Sequence, residues 1–245
     1  MKGERLLIRG GTASVGSAAA ATAKSVGTIV SSDDAGSRLA RMRRRSSTTM
    51  SKGRMEAFTD GVIAIIITIM VLQLPLPHGD GLHALKPLVP VLLSYLMSYV
   101  YIGIYWNNHH HLLQATQHVS GGILWANLNL LFWLSLIPFA TAWVGAHPLA
   151  SWPVALYGSA MLFAAIAYFV LTRALIARHG KNSLLASSIG SDRKGAASLA
   201  IYLLAVVFAF VWPWAAMACY VTVLVMWFVP DRRIEKNLNA KQVNK

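Results

Sequence analysis

From Phe58 to Phe228 the chain is built from apolar blocks, each long enough to cross a lipid bilayer and separated by short polar joints. A spanning helix needs about 20 predominantly apolar residues, because each adds about 1.5 Å of rise against a hydrocarbon layer about 30 Å thick. Six blocks are expected to do so, at approximately 54–75, 85–108, 120–146, 151–178, 194–211 and 213–229. The last two are short and nearly joined through Trp212-Pro213-Trp214. Pro213 interrupts a helical hydrogen-bond ladder and Trp prefers the membrane interface, so a tight hairpin between two short helices is expected there rather than one long span. Hydrocarbon offers no partner to an unpaired backbone group, which makes an all-α membrane protein with six transmembrane helices the expected fold class.

Charge supports this reading and orients it. Only 13% of the residues are charged, against about 25% in soluble domains. The 22 Lys and Arg outnumber nine acids, but they gather in the two termini and in one internal stretch holding Arg173, Arg178, Lys181, Arg193 and Lys194. Lys86 is the basic residue of the first outer loop. Basic residues stay on the cytoplasmic side during insertion, so the pattern predicts an even number of crossings with both termini cytoplasmic, in a multi-pass protein of the cell membrane. A lipid bilayer, not nucleic acid, is the partner this implies. Residues 1–53 read as a disordered basic tail, with Met42 and Met50 as alternative starting points. Residues 54–229 form the transmembrane part, and 230–245 a basic cytoplasmic tail. The single Cys219 excludes an internal disulfide and a Cys-x-x-Cys zinc or redox motif.

Within the apolar blocks, Asp60 stands at the mouth of the run Gly61 to Met70. A carboxylate in such a place is either a helix-start acid near the headgroups, favoured by the helix dipole, or part of a functional network with a nearby partner. The proposed topology puts the end of the second helix, Trp106-Asn107-Asn108-His109-His110-His111, and the start of the third, Trp125-Ala126-Asn127-Leu128-Asn129, at the same depth. A polar clamp of carboxylate, indole, imidazole and amide is therefore expected to tie the first three helices together at their cytoplasmic ends. Three successive histidines on a helix point about 100° apart and cannot converge on one ion, so no metal site is expected. His110, Gln114 and His118 share a face, without a carboxylate or cysteine among them.

Arg54-Met55-Glu56-Ala57-Phe58-Thr59-Asp60 resembles the Arg-x-x-x-Phe-Ser-Asp signature that opens the first helix in the prokaryotic branch of the transmembrane protein 175 family. The likeness covers about residues 54–229, with a Trp- and His-rich end to the second helix and Leu136-Ile137-Pro138-Phe139 in the third. It implies a homotetrameric potassium channel whose first helix lines a central pore. By position it also implies a constriction at Ile65, with Ile69 and Leu72 along the same stripe, and a contribution of Thr68 to ion selectivity. Arg54, Phe58, Thr59, Asp60, Trp106, His110 and Asn127 would then form the motif and its structural network. Thr59 departs from the usual Ser but keeps a capping hydroxyl. A Thr-Val-Gly-Tyr-Gly filter is absent from the sequence, as the resemblance requires.

Helix geometry is consistent with the pore. With Ile65 at 0° and about 100° per residue, Ile69 falls near +40°, Leu72 near −20° and Thr68 near −60°, while Asp60 lies about 140° away. On the residues alone, Ile65 would serve equally as a lipid or core contact and Thr68 as a hydroxyl bonded back to the Ala64 carbonyl. The competing function is a secondary or proton-coupled transporter in which Asp60 and the histidines form a relay, but internal repeats and broken helices at mid-membrane are not evident. Paired acids, a nucleophile with its base and metal ligands are missing from the helices, so an enzyme is not expected, and neither is a cofactor.

Overall fold

In the computed structural model, residues 52–114, 116, 119–179 and 193–228 are described, all within the unit Thr49–Lys245. Residues 1–51 of the expected N-terminal tail (1–53) and all of the expected C-terminal tail (230–245), along with Lys181 and His118, lie outside the described residues, while Lys52 and Gly53 already belong to the first helix. The described residues form α1 (Lys52–Leu72), a 3-10 turn (Leu82–Leu88), α2 (Val89–Gln114), α3 (Gly121–Ser135), α4 (Ile137–Ala146), α5 (Ser151–His179), α6 (Arg193–Val211) and α7 (Pro213–Phe228), with no strand among them. The protein is an all-helical, multi-pass membrane protein: among the described residues, five stretches are long and apolar enough to cross a bilayer. These are Lys52–Leu72, Leu82–Gln114, Gly121–Ala146, Ser151–Arg178 and Lys194–Val211.

The boundaries differ from the sequence reading most in three places. The second helix runs on to Gln114, because the polar Asn and His run after Trp106 is still helical. The third span is two helices, α3 and α4, meeting at Leu136. Pro138 falls in the first turn of α4, where its missing N–H leaves the ladder of α3 without a continuation. The sixth helix has 16 residues and rises about 24 Å, a turn short of the hydrocarbon layer. It does turn back at Trp212, as Pro213 predicts, and packs along α6.

The helices alternate in direction, and hydrogen bonds between their ends show it. Thr59 near the start of α1 meets Asn127 of α3, Trp106 near the end of α2 meets Asp60 of α1, and Tyr168 of α5 meets Asn108 of α2. Trp227 at the end of α7 donates to Ser198 near the start of α6. All of these lie at one end of the bundle. The core is centred on α5, which packs most extensively on α6 and α3. Its buried face is small and regular, with Ala160, Ala164 and Ala167 beside Leu171 and Leu175, as expected where membrane helices gain stability by close approach of backbones. Gly145 of α4 serves the same purpose: a Cβ there would stand 3.0 Å from the Val91 backbone of α2. A buried hydroxyl chain, Thr141 Oγ1 to Ser98 Oγ at 2.7 Å and Ser98 Oγ to Tyr157 OH at 3.1 Å, links α4, α2 and α5. Tyr220 of α7 joins the core by donating to the Val154 carbonyl at 2.9 Å and accepting at its own carbonyl from Tyr101.

Candidate functional site

Helix α1 is apolar on every side between Gly61 and Leu72 apart from Thr68, so packing alone selects its inner face. Met55, Thr59, Ile63, Ile66 and Met70 are buried at spacings of three and four residues, against α2, α3 and α4. The opposite face is left open within the subunit. Ile65 is 58% exposed, Ile69 41% and Leu72 81%, and Thr68 shares this face. Ala57, Phe58, Gly61 and Ala64 continue it toward the helix start. The Thr68 hydroxyl donates to the Ile65 carbonyl at 2.8 Å, one residue nearer than the Ala64 carbonyl expected from sequence. That bond leaves the oxygen lone pairs of Thr68 open to a further donor or cation.

At the start of α1 the expected polar clamp exists, divided into a dry half and a wet half. The dry half is a chain through three helices: Asn127 donates through Nδ2 to Thr59 Oγ1 at 2.9 Å, and Asn127 Oδ1 lies 2.8 Å from His109 Nε2. Since the amide oxygen can only accept, the His109 ring must carry its proton on Nε2. All three side chains are buried. The wet half holds Asp60, which is exposed rather than buried and accepts at Oδ1 from the Trp106 indole N–H at 2.9 Å. Trp106 stacks on His110, whose Nδ1 lies 3.3 Å from Glu56 Oε1 and whose Nε2 lies 2.8 Å from Gln114 Nε2.

The sequence brings most of these groups to one end of the bundle without assigning their partners. His110 does not reach Asn127; its neighbour His109 does, a role that three identical letters in a row could not assign. Glu56 was overlooked as a member, although it lies four residues before Asp60 on the same helix. Trp125 and Asn129 point away from the cluster, exposed on the outside of α3. Arg54 and Phe58 are exposed beside it. Among the described residues, no group of three or more His, Cys, Asp or Glu could hold a metal ion.

Comparison with known proteins now bears on this geometry. The family model described as endosomal/lysosomal potassium channel TMEM175 matches residues 54–138, which contain all but the first two residues of α1, the whole of α2 and α3, and the clamp. Over 189 residues the chain is 50% identical to a protein of Chryseobacterium named as a potassium channel, covering 77% of this chain and 98% of that one. The chain belongs to the TMEM175 family. Its fold is similar to the crystal structure of a lysosomal potassium-selective channel TMEM175 homolog from Chamaesiphon minutus, with a TM-score of 0.63 at 26% identity over 73% of this chain and 96% of that one. The chicken protein named as the endosomal/lysosomal proton channel TMEM175 is 35% identical over 116 residues, which span 42% of this chain and 21% of that protein.

Proposed function

We propose that the chain is a potassium channel of the cell membrane, assembled as a homotetramer around a pore lined by the open face of α1, with both termini cytoplasmic. The observation that carries the reading is the 50% identity to a named potassium channel over nearly its whole length. The geometry supplies a physical means. Four copies of Ile65 and Leu72 facing one axis make an apolar neck that holds water poorly and so resists ion passage until it is wetted or widened. One turn away, four Thr68 hydroxyls offer neutral oxygens that partly replace the hydration shell of a weakly hydrated cation. Discrimination built on one such ring favours potassium over sodium only modestly.

In this reading the clamp at the start of α1 does not touch the ion. It fixes the rotation of α1 about its own axis, because Thr59 lies about 120° from Ile65 and its bond to Asn127 leaves Ile65 turned outward from the subunit. A coupled transporter would use Asp60 and the histidines as a relay, whereas His109 is buried and bonded to Asn127 within one subunit. Residues 54–229 act as the channel, with 1–53 and 230–245 as basic tails on the cytoplasmic side. The test is potassium flux from proteoliposomes held under opposed potassium gradients. Movement down the gradient with no second ion supports a channel, and a strict requirement for a co-transported ion overturns it.

A further inference from the structure

On the face of α2 opposite Trp106 and His110, the chain surrounds a cavity of about 50 Å³ between α2, α5, α6 and the end of α7. Its walls are aromatic: Tyr101, Tyr105, Tyr168, Phe169, Tyr202 and Trp227. They are held in place, since Trp227 Nε1 donates to Ser198 Oγ at 2.8 Å, Tyr168 OH donates to the Asn108 carbonyl at 3.2 Å, and the rings of Tyr105 and Tyr168 meet edge to face. By this measure one water needs about 10–15 Å³, so the cavity has room for only a few non-hydrogen atoms. A compact solute would not fit whole. What fits is the end of a longer molecule whose remainder lies along the outside of the helices.

Positive charge marks the rim. The Arg173 guanidinium stands 4.8 Å from the centroid of the Phe169 ring, which is itself part of the wall. A crevice between membrane helices that is aromatic inside and carries an arginine at its edge has the chemistry of an anionic phospholipid: apolar atoms of the lipid enter among the rings while its phosphate meets Arg173.

We propose that this cavity binds an anionic phospholipid, from the leaflet at the end of the bundle where Thr59, Trp106 and Trp227 gather. A lipid there would brace α2 from behind, on the side away from its clamp to α1. The test uses the purified full chain in detergent and native mass spectrometry, titrating phosphatidylglycerol against phosphatidylcholine of the same acyl chains. Phosphatidylglycerol should be retained in preference. Arg173→Gln should weaken that retention about fivefold, the value of one basic contact at a membrane surface, and leave phosphatidylcholine unchanged. Ala165→Phe, which fills the cavity from α5, should abolish the preference, while Lys86→Gln at the far end should not alter it. Equal retention of the two lipids, or full phosphatidylglycerol retention in Arg173→Gln, overturns the proposal. Displacement of the lipid by soluble glycerol phosphate at similar concentration also overturns it, in favour of a free-anion site. Arg173 is exposed, so its variant decides the matter even where Ala165→Phe disturbs packing. Because ion flux is not read, a negative result leaves potassium conduction untouched.

Discussion

Asn127 sits at the centre of the buried chain, 2% exposed, with one bond to Thr59 and one to His109. Asn127→Leu keeps much of the side-chain volume and removes both bonds. The Thr59 hydroxyl can then turn back to a carbonyl of its own helix, so the group left stranded is the His109 Nε2–H, at a cost of about 1–3 kcal/mol. Thr59→Val keeps shape and instead strands the Asn127 amide N–H, at a similar cost. In the double variant the amide is gone as well, and only His109 remains unpaired. The double variant should therefore be no less stable than Asn127→Leu alone, which makes the two changes non-additive. Interhelical hydrogen bonds in membrane proteins couple by about 0.6 kcal/mol on average and about 1.7 at most, and a fully buried pair belongs in the upper half of that range. Reversible unfolding of the four proteins in detergent, followed by Trp fluorescence, gives the cycle. Costs that add within about 0.5 kcal/mol would refute the claim that Thr59 and Asn127 are bonded and that this bond sets the rotation of α1.

Ile65→Asn should raise potassium leak from proteoliposomes by wetting the apolar neck, and an unchanged rate would remove Ile65 from the constriction. Thr68→Ala should preserve current while shifting the reversal potential under mixed potassium and sodium toward weaker potassium preference; no shift would leave the hydroxyl with only its bond to the Ile65 carbonyl. Asp60→Asn retains an oxygen to accept from Trp106 and should assemble better than Asp60→Ala, measured as the fraction eluting at oligomer size. Equal impairment of the two variants would show that the charge, not the bond, matters. Gly145→Ala sets a methyl 3.0 Å from backbone atoms of Val91, so overpacking of about 1–3 kcal/mol outweighs the better helix propensity of Ala. A higher melting temperature for that variant would place the close approach of α2 and α4 in error.

The chain alone already carried the run of apolar helices, the hairpin at Pro213 and the end of the bundle at which polar residues meet. These follow from quantities carried along the chain: the length of an apolar run against the thickness of a bilayer, the side on which Lys and Arg collect, and the conformational limits of Pro. The rotation of each helix was not available in that way. α1 from Gly61 onward is nearly all apolar, and a helix that is apolar all round carries no periodicity to say which side packs. Only the tertiary structure, by burying Met55, Thr59, Ile63, Ile66 and Met70, turned Ile65 and Leu72 outward. The same gap explains the histidines. His109 and His110 differ by one position and about 100° of rotation, which puts one in the dry chain with Asn127 and the other against Glu56 and Trp106. The break of the third span at Leu136 and the cavity behind α2 likewise depend on which surfaces meet. A one-dimensional pattern fixes which segments of a membrane chain are helical and apolar, while side-chain contacts between helices fix where each breaks and the angle it presents.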